Sequence, residues 1–298
     1  MKKKFLYRVA AIGTSALVLA GSVAMLAGCT TSNYPEVTIT YSFNGEDYAV
    51  NYRLSRVDAP KTVQHFIELA DAGFYNGMVV HDYQDYTMKT GGYRLVDGEL
   101  VEVDYLSEVR RLEEEGNAFT QSVWADEERT IPLYSVYGEF SANGVENENG
   151  KEYVHSQGAL VMYYTDKGSG NEQVWVERAD GGADNDGNAY QQLSYGYNST
   201  TSLFYTFTGE SRTSADSIYC VIGMATNYEE AMTNGLLAAI NEYEDTLDEG
   251  VTFTEAQTAV PLNQYDYFRS VQTAGLTDDF ETPVSMPIII KSVEVTKY

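Results

Sequence analysis

Basic side chains are scarce in this sequence. It has 19 lysines and arginines against 44 aspartates and glutamates, which gives a formal net charge of −25 at pH 7. Proteins that bind nucleic acid need a basic face that contacts the phosphates, so the composition argues against nucleic acid as a partner. An anionic membrane surface would also repel so acidic a chain, and attachment to a membrane therefore needs a source other than surface charge.

Cysteine and histidine are also rare. Of the two cysteines, Cys29 directly follows an apolar N-terminal segment that gives it a separate role, described below. No second cysteine then remains for Cys220, so no disulfide is expected. Cys220 lies in an apolar run that predicts a buried strand, where a lone cysteine is usually a small core residue. The three histidines, His65, His81 and His155, show no spacing that indicates a zinc site. We expect no metal and no other cofactor.

Aspartate and asparagine are grouped over 180–188, which suggests a calcium loop. An EF-hand register would place Gly182 at the first ligand position and Leu193 where the bidentate glutamate belongs. A solvated acidic loop is therefore the preferred interpretation.

The first 28 residues are typical of a secretory leader. Basic residues within 2–8 precede an uncharged stretch over 9–28, which ends in Leu-Ala-Gly before Cys29. Small residues before a cysteine resemble the bacterial lipobox, in which the cysteine is lipidated and becomes the first mature residue. A transmembrane helix is the alternative, because the stretch is long enough, but glycine, serine and threonine dilute it. We expect a signal peptide over 1–28, then a lipidated cysteine and short tether over 29–34, on the extracytoplasmic face of the cell membrane.

The rest of the chain predicts a mainly β body over 35–298. Apolar and polar residues alternate on both sides of the Asn-Gly pair at 44–45, which is a strong hairpin signal. A helix is expected over 60–73, because proline is common at the first helical position and glycine at the capping position. His65 is expected on its outer side. A second helix is predicted over 228–247. These patterns do not distinguish a barrel from a sandwich.

Three stretches of this body lack a clear period. They are rich in Asp, Glu, Tyr, Gly and Ser, and they lie near 94–136, 177–215 and 248–286. Loops of this length in a compact domain are usually functional or disordered. We interpret them as insertions within one domain.

Several short motifs follow one another in a recognisable order. They are the run 59–66 (Ala-Pro-Lys-Thr-Val-Gln-His-Phe), the turn 73–77 (Gly-Phe-Tyr-Asn-Gly), the pair 80–81 (Val-His), Met88 and the glycine pair 91–92. This order resembles the signature region of cyclophilin-type peptidyl-prolyl cis-trans isomerases. In that family the first helix leads through a Gly-Phe-Tyr-x-Gly turn into a strand that reads Phe-His-Arg-Val.

A second block agrees with the same family. It consists of 138–140 (Gly-Glu-Phe), His155, 158–162 (Gly-Ala-Leu-Val-Met) and Gln173, and the run 287–295 is similar to the family's last strand. Agreement of several ordered blocks is a far more specific signal than any one motif. The resemblance implies a closed eight-stranded antiparallel barrel with a helix covering each end and a peptide groove on the outer face.

The resemblance also implies a chemistry that this sequence only partly supports. Rotation about an X-Pro bond has a barrier of about 20 kcal/mol, and the family lowers it with an arginine donor aimed at the prolyl nitrogen. Asp82 stands at that position, and an ionised carboxylate only accepts hydrogen bonds. No catalytic residue is therefore assigned, and weak or absent catalysis is expected. A nearby lysine, Lys89 or Lys167, is the alternative donor.

The remaining groove positions are carried over from the family and are partly retained. Met88 and Gln173 match, and Trp175 is still large and apolar. Thr87 replaces the pocket phenylalanine, and Thr90 replaces a glutamine that holds the substrate backbone. The full set of expected substrate-binding residues is Thr87, Met88, Thr90, Tyr163, Tyr164, Gln173, Trp175 and Tyr219.

Three functions remain open at this point. The resemblance favours a membrane-anchored, extracytoplasmic isomerase of the foldase type that binds proline-containing polypeptides. Asp82 favours a non-catalytic peptide- or protein-binding lipoprotein that uses the tyrosine-rich insertions as its contact surface. The acidic composition leaves room for a structural surface lipoprotein with a calcium-dependent role.

Overall fold

The computed structural model describes most of the chain after the leader. The described residues are 31–84, 86–145, 152–164, 173–178, 181–194, 199–209, 220–261 and 277–298. Strands predominate in these ranges, as the sequence predicts. None of their helices is both long and apolar enough to cross a membrane.

The strands and helices have the following bounds. The strands are β1 (Glu36–Phe43), β2 (Glu46–Leu54), β3 (Asp82–Gln84), β4 (Thr87–Thr90), β5 (Tyr93–Val96), β6 (Glu99–Glu102), β7 (Val123–Trp124), β8 (Val136–Tyr137), β9 (Ala159–Tyr164), β10 (Gln173–Glu177), β11 (Tyr190–Ser194), β12 (Ser199–Phe207), β13 (Cys220–Ala225), β14 (Thr254–Pro261), β15 (Thr277–Pro283) and β16 (Ile289–Lys297). The helices are α1 (Pro60–Asp71), α2 (Tyr105–Glu114) and α3 (Ala238–Glu244), and a π-helix (Glu229–Leu237) leads directly into α3.

The largest sheet has nine strands. Eight of them run in the order β16-β1-β2-β13-β9-β12-β4-β3, and β8 pairs with β12 beside this path. The β1–β2 hairpin forms where the sequence predicts it, because Asn44 and Gly45 both adopt positive φ, at 50° and 87°. Such a turn matches the right-handed twist of the flanking strands. Alternate residues of β1 are buried, so one face of the hairpin lies in the core.

The sheet is open, which corrects the prediction of a closed barrel. In the described ranges its two edge strands, β3 and β16, are not paired with each other. The seam is instead bridged just before β3 begins: Val80 N donates to Ile288 O at 2.9 Å, and Gly77 N donates to Ile290 O at 2.8 Å. After these bonds the segment that becomes β3 diverges from β16. Strand β3 pairs with β4 and contacts β15 instead.

The main core lies between this sheet and the helices. The Phe66 ring of α1 packs at 5.2 Å from Tyr75 and edge-on at 5.4 Å from Phe204 of β12. Aromatic pairs of this geometry contribute more than their buried area alone. At the other side, Met232 and Ile240 are fully buried on the predicted second helix, which the structure divides into the π-helix and α3.

The stretches without a clear sequence period contain ordered elements. Helix α2 lies within 94–136, and the hairpin of β14 and β15 lies within 248–286. Strand β12 lies within 177–215, yet every one of its nine residues is buried between β9 and β4. The sequence pattern does not predict β12, because its many hydroxyl residues are typical of a loop.

A buried glutamate holds the start of α1. Glu139 Oε2 accepts from the backbone N–H and the hydroxyl of Thr62, both at 2.8 Å, and Oε1 accepts from Lys61 N at 3.2 Å. The first N–H groups of a helix have no partner within the helix, so an outside acceptor stabilises them. Burial raises the pKa of the Glu139 carboxyl, although these hydrogen bonds act in the opposite direction.

Replacing Glu139 by alanine is expected to lower the free energy of unfolding by about 2 to 3 kcal/mol, because buried donors at the start of α1 lose their acceptor. Urea unfolding would measure the effect. Glu114→Ala, at an exposed position of α2, is the matched control and should change stability by less than about 0.5 kcal/mol. Equal unfolding midpoints for the two variants would contradict the capping role.

Candidate functional site

Asp82, which stands where the family has its arginine, is completely buried at the start of β3. In the antiparallel register it lies directly opposite Lys89 of β4. The Lys89 ammonium is 2.8 Å from Asp82 Oδ2, and its side chain keeps 18% of its exposure. A buried carboxylate is costly unless it is paired and hydrogen-bonded. The first partner of Asp82 is therefore the lysine that the sequence offers as an alternative donor.

Two further groups donate to the same carboxylate. Glu281 N of β15 donates to Asp82 Oδ1 at 2.9 Å, and the Gln84 amide nitrogen lies 3.0 and 3.1 Å from its two oxygens. Next to this contact, the Thr282 hydroxyl donates to the His81 carbonyl at 2.8 Å. Strand β15, which belongs to the predicted insertion over 248–286, thus contacts His81 and Asp82, and Asp82 stands at the family's catalytic position.

An aromatic pair lies next to the ion pair. The Lys89 ammonium is 5.6 Å from the centre of the Tyr163 ring, within the range of a cation–π contact. Tyr163 and Tyr164 are both half-buried and follow each other at the end of β9. The fold therefore brings together Asp82, Lys89 and Tyr163. The rings of Tyr163 and Tyr164 stay partly exposed, beside a Lys89 ammonium that is already paired with Asp82.

The three groove residues of β4 do not share one face. Thr87 is half-buried and lies opposite Gln84 in the β3–β4 register. Met88 is fully buried in the main core cluster, although the family resemblance places it in the groove. The Thr90 hydroxyl, also buried, donates to the Val79 carbonyl at 2.8 Å. Neighbouring residues of a strand point to opposite faces, and here Met88 faces the core.

Gln173 and Trp175 belong to a different sheet. Strand β10, which carries them, pairs with β11 and β7 in a three-stranded sheet. Trp175 lies opposite Trp124 in the register, and the Trp124 ring contacts Tyr190 edge-on at 5.3 Å. These half-buried aromatic rings form a second candidate contact surface, separate from the Asp82 strand pair.

Three residues of the expected site fall outside the described ranges. They are the lipid-anchor candidate Cys29, the groove candidate Tyr219 and the alternative donor Lys167. Their roles stay predictions. Cys220, which follows Tyr219, is completely buried and its sulfur lies 3.5 Å from the Thr62 hydroxyl oxygen, as expected of a core cysteine.

The three histidines have separate surroundings. His65 is buried rather than on the outer side of α1: its Nε2 lies 2.9 Å from the Thr201 carbonyl oxygen, and burial lowers its pKa to about 4. His155 Nε2 lies 2.9 Å from the Tyr205 hydroxyl oxygen. In the described part of the chain, no group of three or more His, Cys, Asp or Glu residues is placed to hold a metal ion.

His81 lies between two aromatic rings, with its ring centre 4.6 Å from that of Tyr93 and 4.8 Å from that of Phe280 in β15. Its Nδ1 atom is buried without a hydrogen-bond partner among the residues that the structure describes. Burial, and then the charge of Lys89, lower the pKa of His81 to about 3. The imidazole is therefore neutral under ordinary conditions, and protonation would disturb the packing of β15.

In the acidic loop, a carboxylate accepts hydrogen bonds from the backbone of the loop itself. The Asp184 carboxylate accepts from Asp186 N at 2.9 Å, Asn188 N at 2.8 Å and the Asn188 side chain at 3.1 Å. The hydrogen bonds from Asn188 lower the pKa of Asp184. This arrangement accounts for the side chains of Asp184 and Asn188 in this loop.

A large cleft opens beside the Asp82 contact. Its volume is about 1070 Å³, and three elements line it: the hairpin of β3 and β4, one side of α3, and the β14–β15 hairpin. Tyr86 lies in the first of these walls, Glu244 in the second and Glu281 in the third. The sequence did not predict this cleft, because two of its walls come from α3 and the β14–β15 hairpin, where the sequence shows no motif of the family.

Comparisons with known proteins find a family match for part of the chain. Residues 38–177, just under half of the chain, match the profile of the family described as cyclophilin type peptidyl-prolyl cis-trans isomerase/CLD. This stretch is similar to a cyclophilin-type isomerase domain. It contains β3, β4 and Asp82, whereas α3, β14 and β15 lie outside it.

Solved structures include two similar chains, both of a cyclophilin type peptidyl-prolyl cis-trans isomerase from Cryptosporidium parvum. One is 12% identical, with 89% of this chain and 99% of that chain covered and a TM-score of 0.40. The other was crystallised in the presence of the dipeptide Ala-Pro and is 13% identical, with 88% and 99% covered and a TM-score of 0.39. No curated protein matches this chain.

The variant His81→Phe should make stability less dependent on pH. In the native protein the unfolded chain takes up a proton below about pH 6.5 whereas folded His81 stays neutral until about pH 3, so the free energy of unfolding falls as the pH falls. Between pH 7 and pH 4.5 the variant should lose roughly 2 to 3 kcal/mol less than the native chain. Urea titrations at several pH values would measure this. Parallel curves would contradict the neutral, buried state of His81, since the carboxylates are the same in both proteins.

Proposed function

We propose that this chain, whose residues 38–177 match a cyclophilin-type isomerase domain, is a membrane-anchored, extracytoplasmic protein of the foldase type that binds proline-containing polypeptides and catalyses their isomerisation weakly. The proposal of weak catalysis rests on the burial and pairing of Asp82. It is completely buried, paired with Lys89 and covered by β15. A catalyst of X-Pro rotation needs a donor near the prolyl nitrogen, and this position supplies an acceptor.

The surroundings of Asp82 also support a second candidate, which is binding without catalysis. The nearest cation, Lys89, is held by Asp82 at 2.8 Å and would have to leave that carboxylate to approach a substrate. Met88 faces the core, so one of the retained groove residues does not contribute to an outer pocket. Aromatic surface remains at Tyr163 and Trp175, both half-buried, and such rings suit the apolar face of a prolyl ring.

Turnover of a short Ala-Pro peptide, measured by exchange NMR, separates these candidates. We expect kcat/KM about 10²–10³ below that of an ordinary cyclophilin, because loss of one preorganised donor typically costs that factor. A measurable but low rate supports the foldase. No rate together with binding of the peptide supports the binding protein. A rate equal to that of ordinary cyclophilins would contradict weak catalysis.

Two variants test the reason for the low rate. Lys89→Gln should leave the residual rate unchanged if Lys89 is not the donor, and should abolish that rate if it is. Asp82→Arg combined with Lys89→Gln restores the family's cation without placing two cations side by side. A gain of activity in this double variant, with a melting temperature that shows it is folded, would indicate a competent groove that lacks only its donor.

The proposed anchor has its own test. The full chain expressed in a bacterium that processes lipoproteins should enter the detergent phase on phase separation, because acyl chains partition into the apolar phase. Cys29→Ser should remain in the aqueous phase, and mass spectrometry of the mature N-terminus should show the acyl groups only in the native protein. A native protein found in the aqueous phase would exclude the lipid anchor.

A further inference from the structure

The described walls of the cleft beside Asp82 are acidic and aromatic. The described residues that line it include three carboxylates, Glu244, Asp279 and Glu281, and no lysine or arginine. Tyr83 of β3 and Tyr86, which lies in the connection between β3 and β4, also line it. Carboxylates together with exposed aromatic rings attract ammonium and guanidinium groups, through charge and through the negative faces of the rings.

The carboxylates are positioned by regular structure. Asp279 and Glu281 are two residues apart on β15, so both point to the same face of the hairpin. Ala256 of β14 lies opposite Glu281, and the Thr254 hydroxyl donates to Glu281 Oε2 at 3.3 Å. The backbone N–H of Glu281 is meanwhile fixed on Asp82. This wall is therefore a paired strand face with a defined attachment to β3, which is more rigid than a loop.

The opposite walls complete the arrangement. Asn241 and Glu244 are three residues apart on α3 and lie on the same side of the helix. Burial, and then the charge of Asp245, raise the pKa of Glu244, so a bound cation would stabilise its ionised form. Across the cleft, Tyr86 keeps 60% of its exposure although its carbonyl is held by Thr208 N at 2.8 Å. A large ring is thus presented to solvent on an anchored backbone.

We propose that this cleft binds a lysine- or arginine-bearing stretch of polypeptide in an extended conformation. Its volume of about 1070 Å³ is at the upper end of small-molecule sites, which suits several residues of a chain rather than one small cation. The amide of Gln257, the hydroxyl of Thr258 and the amide oxygen of Gln84, whose nitrogen is bound to Asp82, can hydrogen-bond to a peptide backbone. The net charge of −25 attracts basic segments over long range.

Of the expected groove residues that the structure describes, only Thr87 lines this cleft. Two of its walls, α3 and the β14–β15 hairpin, lie outside the residues that match the isomerase family. Binding there requires charge and backbone contacts, and it requires no proline in the bound segment. It would give the protein a preference for basic clients whether or not X-Pro bonds are isomerised.

The test uses the mature protein and a short proline-free peptide that alternates lysine with alanine, titrated by calorimetry at low salt. We expect binding to the native protein, with a dissociation constant that rises roughly tenfold in the double variant Glu244→Gln/Asp279→Asn, because charge-assisted contacts are lost. The matched control is Glu242→Gln/Glu255→Gln, which removes the same charge at exposed positions that do not line the cleft. It should change the constant by less than about twofold.

Three results would overturn the proposal. They are no binding of the lysine peptide, an equal loss in the control variant, which would show attraction to overall charge only, and binding of spermidine as tight as that of the peptide, which would indicate a small-polycation site. The same peptide with glutamate in place of lysine should not bind. Since the probe lacks proline, its binding does not depend on the isomerase assay, and a failure of either proposal leaves the other intact.

Discussion

The Asp82 carboxylate is the interaction on which this part of the molecule depends. It has no exposure to water and is compensated by the Lys89 ammonium, the Glu281 backbone and the Gln84 amide. An arginine at this position would bring two cations together and leave the Glu281 N–H without an acceptor. The replacement of the family's donor is thus a change in packing as well as in chemistry, because it allows β15, which lines the cleft, to dock on β3.

Much of the sheet could be predicted from local sequence. The β1–β2 hairpin follows from alternation around Asn44-Gly45, and α1 follows from the proline at its start and its periodic apolar residues. Strand β12 could not be predicted, because its hydroxyls become buried only through distant partners. The Thr206 hydroxyl, for example, lies 2.8 Å from the hydroxyl of Tyr52, which is 154 positions earlier in the chain. Closure of the sheet was predicted from the family alone, and here the edge strands do not pair.

The candidate site was predicted in part. The family motifs located Asp82 and its neighbours in β4, and the strand register explains why Lys89 is the residue that pairs with it. Sequence could not show that Glu281, 199 positions later, would donate to the same carboxylate. Nor could it show that Trp175 lies in a separate sheet. Both depend on the arrangement of stretches that match no motif, and long-range contacts of this kind leave no periodic signal.

The open seam between β3 and β16 has a consequence for local motion. A few backbone bonds, among them Val80 N to Ile288 O, join the two sides, whereas β1 and β2 share an unbroken ladder. Local opening follows the path with the fewest bonds and buried contacts. Amide hydrogens at the seam should therefore exchange with solvent sooner than those at the centre of the sheet, and transient fraying would begin beside the strand that carries Asp82.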